Sequence, residues 1–331
     1  MSDVHRIFGM ELSPYSVKVR SYFRYKQIPH EWIPRSPAVQ EEFQKYAKLP
    51  LVPVVATPAD EGLQDSTPIL EKMEERVPEP SIHPEEPAAA FVSALLEEFG
   101  DEWGNKWMFH YRWARPADQQ AAGRRIAEMM APGASGEQAA GMAQGVIDRM
   151  TNRVWFVGSN ETTAPQIEQS FQDALALLDA HLADRPYLFG KRPAFADFGL
   201  WGQIYNAWTD PTCKGIVEAN PAVLAWVQRM LDPKAEGDFE PWAALEPTLA
   251  SLLESQVGGL FLPWSDANAK AIAGGAEEFT VELASGTWTQ KPQKYHARSL
   301  AKLRERYAAV SDKGALDPIL ERAGCLEWLQ G

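Results

Sequence analysis

The sequence predicts an α/β unit, then an all-helical domain, then a segment containing a hairpin and helices. Strand-like and helical stretches alternate over the first 80 residues, and four prolines interrupt this pattern between Pro78 and Pro87. Amphipathic helical patterns dominate from there to about residue 256. We therefore predict an α/β domain over 1–80, a linker over 81–87, a helical domain over 88–256, and an extension over 257–331 that packs on the helical domain or over the cleft.

The α/β unit follows from short apolar runs separated by helical patterns. "VHRIFG" and "HEWIPR" predict strands, and "PYSVKVRSYFRYK", "AVQEEFQKYA" and "STPILEKMEERV" predict helices. "LVPVVAT" and "GLQD" predict two further strands, and only "PADE" separates them. A connection this short predicts a hairpin at one side of the sheet.

The helical domain is predicted from long amphipathic or apolar patterns. "AAAFVSALLEEFGDEWGNKWMFHYRW" predicts one long helix, and "FADFGLWGQIYNAW" is apolar nearly all round, as in a buried helix. A further helix places one apolar face toward the core, formed by Ile167, Phe171, Leu175, Leu178 and Leu182.

The extension changes character several times. "LFLPWSDANAKAIAGG" predicts a loop and a short helix. "EFTVELASGTWTQKPQKY" predicts a hairpin with its turn at Ser285 and Gly286, and "HARSLAKLRERYAAV" and "LDPILERAGCLEWL" predict amphipathic helices. Amphipathic helices need a surface to bury against, so the extension should form a lid over the cleft or cover the helical domain.

Composition excludes several classes of function. The net charge of −13 argues against a nucleic-acid phosphate binder and against an anionic membrane surface. No apolar run approaches the roughly 18 residues of a membrane helix, and "MSDVHRIFG" lacks the pattern of a secretory signal. The six histidines show no metal-like spacing, and we expect Cys213 and Cys325 to be buried free thiols in a reducing cytoplasm.

Four motifs, in order, resemble those of the cytosolic glutathione transferases. "SPYSVKVRSYFRYKQIP" is similar to the first helix of that family, and "LVPVV" to its Val-Pro turn, in which the proline is cis. "LQDSTPILEKMEE" is similar to the start of its third helix, and "KRPAFADFGLWG" to an Ala-Asp helix start in its helical domain, although Ala194 replaces the usual capping Ser or Thr. The resemblance implies a thioredoxin-like α/β domain, an all-α glutathione-transferase domain, and a cytoplasmic homodimer.

The resemblance assigns parts of a tripeptide site. Asp65 suits the amine of the γ-glutamyl group, and the Ser66 hydroxyl with nearby backbone N–H groups suits its carboxylate, unless Ser66 only caps the helix. The backbone of Val52 would meet the extended peptide if Pro53 is cis; the alternative is an ordinary trans proline at an edge strand. The family's usual lysine before Val-Pro is absent, and Lys48 or Lys45 would have to replace it.

Ser13 is the implied catalytic residue. It precedes Pro14 at a predicted helix start, so its hydroxyl caps the helix, stabilises the thiolate of glutathione, or does both. Tyr15 and Ser16 are nearby alternatives for the donor. A serine cannot form the mixed disulfide that Cys-type members form, so the resemblance implies conjugation, peroxide reduction or isomerisation.

A second substrate, a small electrophile, would lie between the domains. Tyr15, Trp107, His110 and Tyr111 are its candidate pocket. Three of them belong to an aromatic stripe on one helix face, formed by Trp103, Trp107, His110 and Tyr111. The alternative is that this aromatic stripe only packs between the domains. The leading hypothesis is a Ser-type glutathione transferase without a metal. The runner-up hypothesis is a glutathione-transferase fold that serves as a binding or interaction module.

Overall fold

A computed structural model describes residues 4–331, and it begins with a small α/β domain. Residues 1–3, part of the segment in which no secretory signal was found, lie outside this range. The four strands and three helices of the domain are β1 (His5–Gly9), α1 (Pro14–Tyr25), β2 (His30–Pro34), α2 (Gln40–Tyr46), β3 (Val54–Ala56), β4 (Gly62–Gln64) and α3 (Ser66–Arg76).

The sheet has the strand order β2-β1-β3-β4. β1 runs parallel to β2 and antiparallel to β3, and β3 and β4 form the predicted antiparallel hairpin at one side. In the register, Phe8 lies opposite Val54, and Val54 lies opposite Gln64. The segments that follow β1, precede β3 and follow β4 therefore meet at one end of the sheet.

The second domain is helical, as predicted. Its helices are α4 (Pro87–Phe99), α5 (Asn105–Ala114), α6 (Pro116–Met130), α7 (Gly136–Thr151), α8 (Ala164–Leu182), α9 (Phe195–Trp208), α10 (Pro211–Glu218), α11 (Pro221–Arg229) and α12 (Trp242–Leu252). A π-helical segment, Gly100–Gly104, joins α4 to α5, so the predicted long helix is one continuous helical run.

Two predictions about burial in the helical domain are confirmed. The predicted apolar face of α8 is buried, and α9 is buried along nearly its whole length. At Gly202 on α9, an added Cβ atom would lie 2.7 Å from the carbonyl oxygen of Pro14, so glycine allows α9 to pack directly on the start of α1. This contact brings the helical domain to the segment that carries Ser13.

The extension begins without a break in the helix, contrary to the predicted loop. A π-helical segment, Leu253–Phe261, continues α12 into α13 (Leu262–Ala273). Val257 and Phe261 are fully buried, and this burial stabilises helix where the sequence suggested a loop. The remaining elements are β5 (Phe279–Leu283), β6 (Gly286–Gln290), α14 (Ala297–Ala309), α15 (Lys313–Arg322) and α16 (Leu326–Gln330).

The predicted hairpin is confirmed as β5 paired antiparallel with β6. The last predicted helix is divided at Gly324, whose φ of 64° is left-handed and ends α15. Across the part of the chain from residue 4 onward, no helix is long and apolar enough to cross a membrane. Cys213 and Cys325 are buried free thiols, as expected.

A tryptophan cluster joins the extension to the helical domain. The ring of Trp103 lies 5.9 Å from that of Trp264 and 5.3 Å from that of Trp288, and all three are buried. The Nζ atom of Lys106 lies among them, 3.6 Å from the centroid of the Trp264 ring. The extension is therefore part of the hydrophobic core of the helical domain.

Candidate functional site at the domain interface

Ser13 lies where β1 turns into α1. Its Oγ accepts a hydrogen bond from the backbone N–H of Ser16 at 3.3 Å. Ser13 therefore caps the helix, which was one of the two predicted roles of its hydroxyl. The Ser13 side chain is half-buried, and an oxygen that accepts at the cap keeps its own O–H proton for another partner. Capping and donation to a ligand are therefore compatible.

The two alternative donors are less suited to contact a ligand. Ser16 is fully buried, and the hydroxyl of Tyr15 already donates to the backbone carbonyl of Asp101 at 2.9 Å. Burial also raises the pKa of Tyr15 well above its usual value, and the charge of Asp101 acts in the same direction. Of the three hydroxyls, that of Ser13 is the best placed to donate to an incoming sulfur.

A buried arginine of the helical domain holds the turn before Ser13. Arg112 on α5 donates to the carbonyl of Leu12 at 2.8 Å and to the carboxylate of Asp210 at 2.6 Å. Its second terminal nitrogen donates to the backbone carbonyl and side-chain oxygen of Asn206. The position of the turn therefore depends on the second domain, a role that no local sequence pattern around Arg112 indicates.

The second part of the site is the turn before β3. The Val52–Pro53 peptide bond is cis, as the resemblance implied. Gln64, at the end of β4, fixes the preceding loop: its side chain accepts from the N–H groups of Lys48 and Leu49 and donates to the carbonyls of Leu49 and Leu51, all at 2.8–2.9 Å. Its place beside the Asp-Ser motif was the only sequence signal for this role.

The third part is the start of α3. Asp65 is exposed and has a φ of 80°, an unusual conformation for a residue with a side chain. Its Oδ2 accepts a hydrogen bond from the hydroxyl of Tyr295, which belongs to the extension, at 2.6 Å. The prediction that Ser66 caps the helix is wrong, because Asp65 occupies the cap position and the buried Ser66 hydroxyl points to Oδ2 of Asp101 at 3.4 Å.

A buried charge cluster lies between the domains behind this site. The ammonium of Lys18 on α1 contacts the carboxylates of Glu97 and Asp101, the latter at 2.6 Å, and donates to the hydroxyl of Thr67 at 3.0 Å. Burial alone would lower the pKa of Lys18, but Asp101 and Glu97 outweigh it and raise the pKa.

Burial raises the pKa of Asp101 to about 7, and the attraction of Lys18 only partly offsets this effect. Two carboxylates thus share one ammonium, which holds α1, α3 and the helical domain together. The sequence suggested none of this, although Lys18 lies between the buried Val17 and Val19 on α1.

The aromatic stripe points into the helical domain and does not line a cleft. The indole nitrogens of Trp103 and Trp107 both donate to the hydroxyl of Ser170 on α8. Trp107 and Tyr111 are each 1% exposed and pack against Phe171. The packing alternative therefore describes these two residues better than the predicted pocket.

His110 is also an interior residue. Its two ring nitrogens contact the hydroxyl of Ser159 at 2.8 Å and the carboxylate of Glu168 at 2.9 Å. Burial lowers its pKa, and the hydrogen bond to Glu168 opposes that shift. His110 is therefore held by protein partners, as a structural histidine would be, and the predicted pocket role is not supported by its position.

The two candidate lysines, Lys45 and Lys48, differ in their ionic contacts. Lys45 is paired with Asp60, with both side chains more than half exposed, whereas the Lys48 side chain is exposed on the loop that Gln64 fixes. Lys48 is therefore the better candidate for a carboxylate at this end of the sheet. Within residues 4–331, no group of three or more His, Cys, Asp or Glu side chains could hold a metal ion.

An α/β domain with a cis-proline turn, joined to a helical domain, defines the class of two-domain glutathione-transferase folds. Residues 7–81 match the family model of the glutathione S-transferase N-terminal domain, and residues 144–229 match that of the C-terminal domain. The chain belongs to the glutathione S-transferase superfamily.

Several solved structures are similar to the chain at low identity. A glutathione S-transferase from Rhodospirillum rubrum F11 is 18% identical, with 73% of this chain and 98% of that chain covered and a TM-score of 0.44. One from Methylobacterium radiotolerans JCM 2831, in complex with glutathione sulfonate, is 18% identical, with coverages of 72% and 99% and a TM-score of 0.38. The β-etherase LigF from Sphingobium sp. strain SYK-6 is 18% identical, with coverages of 68% and 94% and a TM-score of 0.46. No curated protein sequence matches the chain.

Proposed function

We propose that this chain is a glutathione-dependent transferase in which Ser13 stabilises the thiolate of bound glutathione for attack on a small electrophile. Membership of the superfamily supports glutathione-dependent transfer in general terms. The observation that carries the role of Ser13 is the position of its half-buried hydroxyl, at the N-terminus of α1 and at the same end of the sheet as the cis-Pro53 turn and Asp65.

Attack by the glutathione thiolate requires stabilisation of a negative charge on sulfur. A free thiol has a pKa near 8.5, so only a few per cent of it is ionised at pH 7. A hydroxyl donating to sulfur and the positive end of the helix dipole both favour the thiolate. Ser13 therefore acts on the nucleophile of the substrate and forms no covalent bond itself.

The remaining contacts divide the tripeptide among short segments. The carboxylate of Asp65 pairs with the γ-glutamyl amine, and the N–H groups at the start of α3, beginning at Ser66, hold the carboxylate of that end. The backbone beside Val52 and Pro53 pairs with the extended cysteinyl part, and Lys48 meets the glycyl carboxylate. Glutathione is the co-substrate, and no metal takes part in this proposal.

The test compares Ser13→Ala with Ser16→Ala, a matched change on the fully buried neighbour. Calorimetry measures glutathione binding, ultraviolet absorbance measures the pKa of the bound thiol, and conjugation of a model aryl halide measures turnover. We expect Ser13→Ala to raise the pKa of the bound thiol by about one unit and to lower turnover at pH 6.5 by about tenfold. Unchanged turnover in Ser13→Ala would refute the role of Ser13.

The alternative function is a binding or interaction module with the same fold. The observation that favours it is the absence of the family's usual lysine before Val52-Pro53, where this chain has Leu51. An absence of glutathione binding at millimolar concentration would support this alternative. A glutathione-dependent peroxidase or isomerase would bind glutathione but conjugate no model electrophile.

The proposal includes a cytoplasmic homodimer that binds neither nucleic acid nor membrane. Light scattering of the purified full-length chain measures its mass in solution. A mass close to twice 36.9 kDa would support the dimer, and a monomeric mass would remove it from the proposal.

A further inference from the structure

We propose that the extension completes the amine subsite of this transferase, with Tyr295 as a positioning residue for Asp65. The inference rests on the proposed function, since it assigns a further residue to the same glutathione site. It is carried by the contact between the Tyr295 hydroxyl and Oδ2 of Asp65, which joins residues from opposite ends of the chain.

The segment around Tyr295 is held on both domains. The hydroxyl of Ser299 donates to the carboxylate of Glu102 at 2.8 Å, and the ring of His296 also contacts that carboxylate. Farther along α14, Arg306 pairs with Glu71 on α3. Tyr295 therefore reaches Asp65 from a segment anchored on the π-helical run and on the same helix that Asp65 begins.

The anchoring contacts are better buried than the Tyr295 contact. The side chains of His296 and Glu102 are 8% and 7% exposed, whereas Tyr295 is 50% exposed. The buried contact between His296 and Glu102 holds the segment in place, and the exposed tyrosine then extends toward the site. The Tyr295 hydroxyl is therefore a group held at a site edge that a ligand can reach.

The chemistry of the pair suits an ammonium group. A carboxylate has roughly four lone-pair positions, and Tyr295 uses one of them, so the exposed Asp65 keeps capacity for a ligand amine. The Tyr295 oxygen, whose O–H group donates a hydrogen bond to Asp65, keeps a lone pair that can accept a hydrogen bond from the same ammonium. Burial and the hydrogen bond to Asp65 raise the pKa of Tyr295, so its hydroxyl remains a donor at neutral pH.

The hydroxyl also restrains the carboxylate. Asp65 has a positive φ and is exposed, and no side-chain cap bond orients it at the start of α3. A donor at 2.6 Å on Oδ2 fixes the rotation of the carboxylate. An amine would then meet a carboxylate that is already oriented, which lowers the entropy lost on binding.

The test uses Tyr295→Phe in the full-length chain, which removes only the hydroxyl. Tyr307→Phe is the matched control, because the Tyr307 hydroxyl donates to Asp317 at 2.9 Å wholly within the extension. Calorimetry measures the binding of glutathione and of a desamino analogue, in which hydrogen replaces the γ-glutamyl amine.

We expect Tyr295→Phe to bind glutathione about fivefold more weakly and to bind the desamino analogue as the wild type does. KM for glutathione should rise while kcat stays within about twofold, and Tyr307→Phe should change neither affinity. A loss of affinity for glutathione but not for the desamino analogue would show that the Tyr295 hydroxyl and the ligand amine are coupled.

Three outcomes would overturn the inference. Tighter glutathione binding by Tyr295→Phe would mean that the hydroxyl competes with the amine, and equal losses for both ligands would mean a structural role only. Unchanged binding of both ligands would remove Tyr295 from the site. In each of these cases the wild type still binds glutathione, whereas a wild type that binds neither ligand refutes the proposed function together with this inference.

Discussion

Replacing Arg112 with methionine tests how the helical domain holds the turn that carries Ser13. The side chains of Arg112 and Asp210 are 4% and 1% exposed, and the arginine also donates to the carbonyl of Leu12. Removing one partner of such a buried ion pair leaves an uncompensated charge and typically costs about 3–5 kcal/mol. Arg125 lies 3.5 Å from the other oxygen of Asp210 and is partly exposed, so we expect a loss near the lower end, about 3 kcal/mol.

Urea denaturation, followed by tryptophan fluorescence, measures this loss. Arg125→Met is the matched control, because it removes a longer and more exposed contact to the same carboxylate, and it should cost less than about 1 kcal/mol. The double variant Arg112→Met/Asp210→Asn should recover part of the loss, since it removes the uncompensated charge.

The pH dependence of the stability of Arg112→Met supplies a second check on the role of Arg112. Burial already raises the pKa of Asp210 in the wild type, against the opposing effect of Arg112, and removing Arg112 would raise it further. The folded variant would then hold a proton on Asp210 at a pH where the unfolded chain has released it. Its stability relative to the wild type should therefore improve as pH falls from 8 to 5. A loss below about 1 kcal/mol, or one that grows toward pH 5, would refute this reasoning.

Three further predictions concern the tryptophan cluster and the loop before β3. Trp288→Ala should lower stability by about 3–5 kcal/mol in thermal denaturation because Trp288 is fully buried, and an equal loss in the 48% exposed Trp155→Ala would contradict this. Burial lowers the pKa of Lys106, so the unfolded chain binds more protons at this group than the folded chain does. The contribution of this group to wild-type stability therefore rises with pH. Lys106→Met should therefore gain more stability relative to wild type at pH 6 than at pH 9 in urea denaturation, and a pH-independent difference would count against it. Gln64→Ala should raise KM for glutathione with little change in kcat because it frees the Lys48–Leu51 loop, whereas Gln169→Ala, which removes an exposed hydrogen bond on α8, should leave KM unchanged.

Much of the fold could be predicted because local sequence patterns decided it. Ser13-Pro14 marks a helix start by a capping oxygen and a fixed φ, and the "PADE" connection leaves room for only a hairpin. The loop predicted near Pro263 was wrong for a non-local reason. Proline is tolerated in the first turn of a helix, and burial of Val257 and Phe261 stabilises the helix leading to it.

The site was harder to predict because its supports come from distant positions. Lys18 and Asp101 form an ion pair across the two domains, and nothing in the local pattern of either residue indicates the other. The aromatic stripe was ambiguous because helical spacing shows that residues share a face but not which neighbour that face meets. The Trp107 indole donates to Ser170, which assigns that face to the interior.

The tryptophan cluster also bears on the order in which the chain can fold during synthesis. Trp103 is translated well before Trp264 and Trp288, the rings that cover it. The ribosome therefore releases the helical domain with this part of its interior still open to water, and closure waits for the hairpin β5–β6. A nascent chain halted before that hairpin would expose apolar surface, which is the kind of surface that chaperones recognise.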